Sequence, residues 1–532
     1  MPPETSAVLV PEPAFPGLPI VPLSLSTLAV IRDRVAVPDY CRSRLISGVV
    51  HLGVGNFHRS HQAVYLDRLA SLGANDWAVT GVGFRSRAMK DALSPQDNLF
   101  LVVDRDGSST QARVVGVLRR YLYAPDESRQ VLAALSSPRT RLVTLTVTGN
   151  GYPVDAAGCL MDTEVQRDLT DPHRPSSTFG YLVEGLQRRR SAGLGGVTVL
   201  SCDNLPDSGA TTRAATVALA QRRDPSLARW IEDAVRFPGA MVDRITPATT
   251  LQERRLVREC FGVDDRWPVV TEPFTQWVVE DDFVGVRPPL DEVGVQYVSD
   301  VTAYKQMKSR LLNGSHCALG YLGALSGYST SSAAMSDPLI RAALRRLMHE
   351  EVLPLLPPLP GIDLRDYCDT LLRRFSNPRI TDPLSRLCGR GSTKMPAYLL
   401  PSLRQARQEG RPHGVLALAV AMWMRHLRGV DCEGRAIDVQ DARAVELREL
   451  AVRGGNDPRP LLSRADLFGG LHDDEVLVEE LSALLVMLEV EGARACLLSL
   501  SGGHARGGSR GSSPLEGLGG TRATLASVVP NG

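Results

Sequence analysis

Apolar and polar positions follow two different rhythms along the chain, and the change falls near residue 303. Before it, short apolar runs stand at 49–54, 77–82, 99–103, 114–118, 142–147 and 197–201. Such runs predict buried strands. Between and beside them, helical periodicity predicts helices at 58–71, 89–93, 128–135 and 181–189. Strand–helix alternation predicts an α/β fold with a mostly parallel sheet. Beyond residue 303 strand patterns almost vanish, and helical patterns cover 304–325, 339–353, 367–375, 398–408, 415–427 and 475–488. The predicted organisation is a Pro-rich N-terminal arm over 1–45, an α/β domain over 46–300, an all-α domain over 301–501 and a disordered Gly/Ser-rich tail over 502–532. No internal repeat is evident.

Composition narrows the partners. The chain has 532 residues, 43% of them hydrophobic and 22% charged, with a formal net charge of +1. That is an ordinary globular balance, long enough for two domains. It gives no basic surplus for nucleic acid or an anionic membrane. The longest apolar run, around 414–424, falls short of the about 20 residues needed to span a bilayer. The N-terminus lacks a basic n-region, carries Glu4 and Glu12, and is not a signal peptide on this reading. Nine cysteines occur, none in a CxxC pair, which predicts reduced thiols in a cytoplasmic protein. The histidines show no ligand spacing; His349-Glu350-Glu351 is not HExxH, so no metal site is expected.

The first strand candidate runs into Gly53-Val54-Gly55-Asn56-Phe57-His58-Arg59, and a helix follows. Glycines permit a tight turn and close approach to a pyrophosphate, and the helix start offers unpaired N–H groups. Position and residue types predict a Rossmann-like dinucleotide site using Gly53, Gly55, Asn56 and Phe57, although the third glycine of the usual fingerprint is absent. After the second strand comes Gly83-Phe84-Arg85-Ser86-Arg87, with two arginines and no acid to repel a 2′-phosphate. Arg85 and Arg87 therefore predict acceptance of NADP beside NAD.

A second constellation lies in Tyr304-Lys305-Gln306-Met307-Lys308 through Leu312-Asn313-Gly314-Ser315-His316. On an α-helix, with Lys308 at zero, His316 falls at roughly 80° and Asn313 at roughly 140°. All three then look into one semi-apolar cleft. A lysine there loses solvation, so its amine becomes available as a base. Asparagine supplies a neutral N–H donor for a developing alkoxide, and histidine can orient a hydroxyl.

The Lys-x4-Asn-x2-His spacing resembles the signature of the polyol-specific long-chain dehydrogenases, the mannitol dehydrogenase family. Further stretches are similar to that family: HLGVGNFHRSHQAVYLDRL at 51–69, SCDNLPDSG at 201–209, FPGAMVDRITPATT at 237–250, VVTEPFTQWVVEDDF at 269–283 and LLNGSHCALGYLG at 311–323. The resemblance runs unbroken from about 46 to about 500. It implies a Rossmann-like N-terminal domain, an all-α C-terminal domain and metal-independent, NAD(P)-linked oxidation of a sugar alcohol to a ketose, with mannitol to fructose as the expected pair. By the resemblance, Lys308 is the general base, Asn204 and Asn313 form the oxyanion hole, and His316 orients the substrate. Asp243 lies near the substrate, and Arg386 and Lys394 grip its distal hydroxyls. Asn204 has independent support, since it follows the 197–201 strand, where α/β sheets place ligands.

Two positions depart from the family pattern. Lys305 and Gly149 stand where relatives carry Glu, and Lys305 lies about 60° from Lys308 on the same helix face. An ammonium there does not relay protons and favours the neutral form of Lys308. Two rival readings follow. One is a hexuronate reductase acting between fructuronate and D-mannonate, with extra cations on the carboxylate. The other is a catalytically impaired nucleotide-binding protein. The expected assembly is a monomer or weak homo-oligomer.

Overall fold

The computed structural model describes residues 19–148, 151–155, 160–380 and 382–502. The tail expected after residue 502, Cys159 and the Gly149 position lie outside these residues.

The strands that matter for the site are β1 (Val49–Leu52), β2 (Val79–Gly83), β3 (Phe100–Arg105), β4 (Thr110–Val115), β5 (Leu118–Tyr123), β6 (Leu142–Leu145), β7 (Thr198–Ser201), β8 (Ala240–Asp243), β9 (Val269–Thr271), β10 (Gln276–Glu280) and β11 (Gln296–Val298). The central sheet has the order β5-β2-β1-β6-β7, with every neighbouring pair parallel. Residues of β1 alternate between two cores. Val49 packs on one face and Val50 and Leu52 on the other, so a strand apolar throughout is buried on both sides. Two smaller sheets, β9-β3-β4 and β11-β10-β8, mix parallel and antiparallel pairs. The chain grows outward from β1 to β5, then returns to place β6 on the other side of β1. That reversal is a topological switch point, and such points open a crevice at the carboxyl ends of the strands.

Among the described residues, every named strand ends by Val298 and long helices follow. The helix Gly414–His426 explains the longest apolar run: its residues from Val415 to His426 are all buried. A helix apolar all round belongs at the centre of a bundle. No helix among the described residues is long and apolar enough to cross a membrane. Met241 of β8 and Val278 of β10 join the helical core, tying the sheets to the bundle.

Three details differ from the sequence patterns. The run at 114–118 is not one strand. It is the break between β4 and β5, because the Gly116 and Val117 N–H groups turn inward to donate to Asp67 Oδ1 at 2.7 and 3.1 Å. The helix expected over 58–71 is two, Asn56–Ser60 and Gln62–Ser71, separated at His61 (φ −113°, ψ −88°). The described part of the N-terminal arm is built into the fold. Val21–Pro22 pairs with Val263–Asp264, and Leu23, Ile31 and Val35 pack with Val257 and Phe261.

Beneath the glycine turn lies a cluster of buried imidazoles. His51 bonds the Thr144 and Thr146 hydroxyls at 2.8 and 2.9 Å, and His58 stacks on it with ring centroids 3.5 Å apart. His61 reaches the Gln276 carbonyl at 2.8 Å. Burial pushes His51 and His61 down to about 3 and His58 well below 6.5. The unfolded chain binds these protons near pH 6.5 and the folded protein does not. Stability is therefore full above pH 6.5 and falls below it, each histidine costing about 1 kcal/mol per pH unit. Urea midpoints measured from pH 7.5 to 5 should fall, and His58→Leu should make the fall shallower by about a fifth of the histidine share, because His316 and His426 are also buried with lowered pKa. A midpoint independent of pH across this range would contradict the assignment.

Candidate active site

Two adjoining cavities occupy the crevice, of about 560 and 770 Å³, and share Gly53, Gly55, Thr146 and Thr148 as common walls.

The glycine turn builds the shared wall. Gly53 sits at φ +93°, and a Cβ there would lie 2.4 Å from the Thr146 carbonyl oxygen, so the turn requires glycine. At Gly55 a Cβ would meet only the Gly53 carbonyl, at 3.9 Å, leaving open space for a bound group. Gly55 then starts the helix Asn56–Ser60, whose first turn has no side-chain cap. Its amides are donors facing an open cradle, which fits a pyrophosphate. Asn56 has another task. Its Nδ2 donates to the Pro247 carbonyl and Thr249 hydroxyl, each at 3.0 Å, while its Oδ1 accepts from Arg59 at 2.6 Å. Phe57 lines the larger cavity and stacks on His61.

The smaller cavity runs from this turn past Gly83, Phe84, Arg85 and Ser86. Arg87, expected beside Arg85 on the cofactor, is not among its walls. It is exposed and pairs with Asp91 at 3.2 Å and with Asp126, two surface carboxylates that draw it away. Trp267 is a wall that the sequence patterns did not single out.

The larger cavity gathers Asn204, Asp243, Lys308, Asn313, His316 and Arg386 from four distant stretches. The segment carrying three of them is not a continuous α-helix. A π-helical turn, Lys308–Asn313, joins Thr302–Met307 to Gly314–Leu325. The wider turn invalidates the 100° angular reading across it, and π turns concentrate at functional sites. Lys308, Asn313 and His316 nevertheless line one cavity.

Lys308 is 8% exposed, and its Nζ donates to Asn204 Oδ1 at 2.8 Å and to the Val242 carbonyl at 2.6 Å. Burial lowers its pKa from 10.5. Asp243 opposes that shift, while Arg374 and Lys305 add to it. A neutral amine has two N–H bonds, and these two acceptors take both, leaving the lone pair for a substrate proton. The same contact orients Asn204: with Oδ1 spent on Lys308, its Nδ2 donor is left for a ligand. His316 rests against Phe375, ring centroids 4.5 Å apart. Burial holds it neutral with a pKa of about 3, Asp382 opposing and Arg386 and Arg374 assisting.

Asp243 is buried, yet ionised. Burial alone would raise its pKa, but the charge and hydrogen bonds of Arg374 outweigh that and hold it below 3.8. Arg374 and its second partner Glu272 were not picked out as site residues from sequence. In the amphipathic helix Leu364–Phe375 the periodicity puts Arg374 on the apolar face with Tyr367 and Leu371 and Arg373 on the exposed one, a signal the sequence patterns above did not use; Glu272 stood only inside a family-like stretch. Arg386 lines the mouth, forked onto Asp382 at 2.6 and 2.5 Å. Lys394, expected to grip substrate, is not a wall. Its Nζ is spent on the Arg386 and Leu387 carbonyls at 2.8 and 3.1 Å, so it braces the segment carrying Arg386. Behind Lys308 a chamber of about 40 Å³ is walled by Lys305, Lys308, Asp203 and Tyr398, among others. Among the described residues, no group of three or more His, Cys, Asp or Glu could hold a metal ion.

Family models match both parts of the chain, the mannitol dehydrogenase Rossmann domain over 47–292 and the mannitol dehydrogenase C-terminal domain over 300–488. The chain belongs to the mannitol dehydrogenase family. A mannitol 2-dehydrogenase of Aspergillus fumigatus is 44% identical over 464 residues, 85% of this chain and 92% of the relative. A mannitol dehydrogenase of Saccharomyces cerevisiae is 43% identical over 484 residues, 89% and 96% of the two chains. Among solved structures, the Pseudomonas fluorescens mannitol 2-dehydrogenase in ternary complex with NAD and D-mannitol matches with a TM-score of 0.79 at 40% identity, covering 90% of this chain and 99% of that one. A substrate-free D-sorbitol dehydrogenase matches with a TM-score of 0.84 at 34% identity, covering 89% and 100%.

Asp203 pins the roof over both cavities. Its carboxylate accepts from the Val147 and Thr148 amides at 3.0 and 2.8 Å and from the Tyr152 hydroxyl at 2.9 Å. Removing a buried, charged acceptor with three donors costs about 2–3 kcal/mol. Asp203→Ala should lower Tm and speed hydrogen exchange at Val147 and Thr148. Exchange unchanged at both amides would remove Asp203 from this role.

Proposed function

We propose that this protein is an NAD-dependent polyol dehydrogenase that interconverts D-mannitol and D-fructose without a metal ion. The carrying observation is the buried Lys308 amine, its Nζ bonded to Asn204 Oδ1 and the Val242 carbonyl, at the wall of a cavity continuous with the glycine cradle. The relatives named above act on mannitol or sorbitol by their names, which supports a polyol over a hexuronate.

Gly53, Gly55 and the first-turn amides of Asn56–Ser60 would hold the pyrophosphate, and Phe84, Arg85 and Ser86 line the remainder of that cavity. NAD, when bound, supplies the hydride acceptor for carbinol oxidation. Lys308 takes the hydroxyl proton through its free lone pair. Asn204 and Asn313 donate to the same oxygen as negative charge develops on it, a task given to a metal in other dehydrogenases. Asp243 accepts from a substrate hydroxyl, neutral His316 orients another, and Arg386 closes over the distal end. The impaired-protein reading loses ground, because the amine keeps both its acceptors and its access to the cavity.

The test is absorbance at 340 nm with D-mannitol and NAD. A signal is expected, and its absence with D-mannitol, D-sorbitol and other hexitols would overturn the reading. Lys308→Ala should lower turnover by about 10²–10⁴-fold while leaving NAD affinity intact. A loss below tenfold at every pH would remove Lys308 as the base.

Arg85 at the cavity wall, with no acid in Gly83-Phe84-Arg85-Ser86, also favours measurable NADP use, at less than about 100-fold selectivity for NAD. One Arg–phosphate contact of about 1–2 kcal/mol corresponds to roughly tenfold. Arg85→Asp should cost about that factor in kcat/KM for NADP, and Arg87→Asp should change it less than twofold, because Arg87 is held by Asp91 and Asp126. Equal effects of the two substitutions would contradict this assignment.

A further inference from the structure

We propose that Arg374 is a positioning residue for the polyol: its guanidinium, forked across Asp243 and Glu272 behind the cavity wall, aims the Asp243 carboxylate at the substrate. This role rests on the function proposed above.

Arg374 is not a wall of the substrate cavity, whereas Asp243 is. Its Nη1 and Nη2 donate to Asp243 Oδ2 and Oδ1 at 2.7 and 2.9 Å. On the other side, Nε and Nη2 donate to Glu272 Oε2 and Oε1 at 2.8 and 2.7 Å. Arg374, Asp243 and Glu272 are 8%, 4% and 2% exposed. Each Asp243 oxygen thus spends one acceptor position on the fork and keeps another for the cavity. Only a planar guanidinium can bridge two carboxylates bidentately in this way; an ammonium cannot.

Glu272 is the anchor of the bridge rather than a second ligand. Its Oε1 also accepts from the Ile245 amide at 2.6 Å, two residues past Asp243, so the end of β8 is held at both residues. The Arg374 guanidinium lies over the Phe274 ring, 4.1 Å from its centroid, which fixes its plane. The next residue, Phe375, supports His316. The C-terminal end of one helix, Leu364–Phe375, therefore sets two proposed substrate contacts through adjacent residues.

Two carboxylates share the one guanidinium. Facing Asp243 are Arg374 from that helix, Lys308 from the π turn and neutral His316 from Gly314–Leu325. Neutral His61 packs from the Rossmann side. Without the fork, two buried carboxylates would share one small space, and one would take up a proton or turn away.

The experiment compares Arg374→Lys, Arg374→Gln, Asp243→Asn and the double variant Arg374→Lys/Asp243→Asn in the full chain with NAD. Arg374→Lys keeps the charge and loses the fork. It should raise KM for D-mannitol by about tenfold or more, lower kcat by less than about threefold and leave NAD affinity within about twofold, as loss of substrate positioning predicts. Asp243→Asn should give a comparable rise in KM. Because Arg374 acts through Asp243, the double variant should be no worse than about twofold beyond the weaker-binding single variant. A double variant whose KM rises by the product of the two single effects would overturn the role, as would an Arg374→Lys variant that loses kcat and NAD affinity with KM unchanged. Should Arg374→Gln fail to fold, the Lys and Asn variants carry the test alone. A native protein inactive on every hexitol would overturn the function and this role with it; an active native protein with multiplicative effects would overturn this role only.

Discussion

The structure turns on one buried amine. Keeping Lys308 out of water is costly for its charged form, and the fold arranges that it need not be charged. Burial lowers its pKa, Asp243 opposes that, Arg374 and Lys305 assist it, and Asn204 and the Val242 carbonyl accept from its Nζ. That arrangement requires three parts of the chain to meet: the loop after β7, the strand β8 and the first residue of the π turn. The parallel sheet delivers the first and the β8–β10 pairing the second. The packing of Met241 and Val278 into the helical core brings the third. Strand ends and helical bundle thus meet at the cavity that Asn204, Asp243 and Lys308 line.

Much of this was legible in the sequence. The glycine turn could be read because its requirement is local: a positive φ and a Cβ-free approach leave a mark in residue type. The Lys-Asn-His spacing could be read because three polar groups recur on one stretch with an otherwise apolar face. Rossmann and helical regions followed from the change in periodicity near 303. The illegible parts are those set by distant partners. Arg374 and Glu272 stand 102 residues apart, and although Arg374 falls on an apolar helix face, nothing local says which carboxylates it meets. The break at Gly116 depends on a carboxylate 49 residues earlier. Arg87 and Lys394 failed as predicted walls for the same reason. Their charge suited the role, but neighbouring carboxylates and carbonyls claimed them. The π turn inserted between two α-helical segments left no pattern that a fixed 100° period could detect.

The chain's choice of cations sharpens the picture. Of 60 basic residues only four are lysines, at 90, 305, 308 and 394. Arginine stays charged when buried, as Arg374 and Arg244 do in their carboxylate pairs, and it serves the structural bridges. A group that must lose its proton cannot be arginine. Lys305 and Lys308 share one small chamber, and burial lowers the pKa of both.

So few lysines make the central claim directly measurable. An NMR titration of the protein labelled with ¹⁵N-lysine has four side-chain signals to follow, and Lys308→Arg identifies the relevant one. The Lys308 amine should titrate clearly below 10.5, because burial disfavours its charged form. A Lys308 signal titrating at 10.5 or above would mean the amine is an ordinary ammonium, and the site as described would not hold a base.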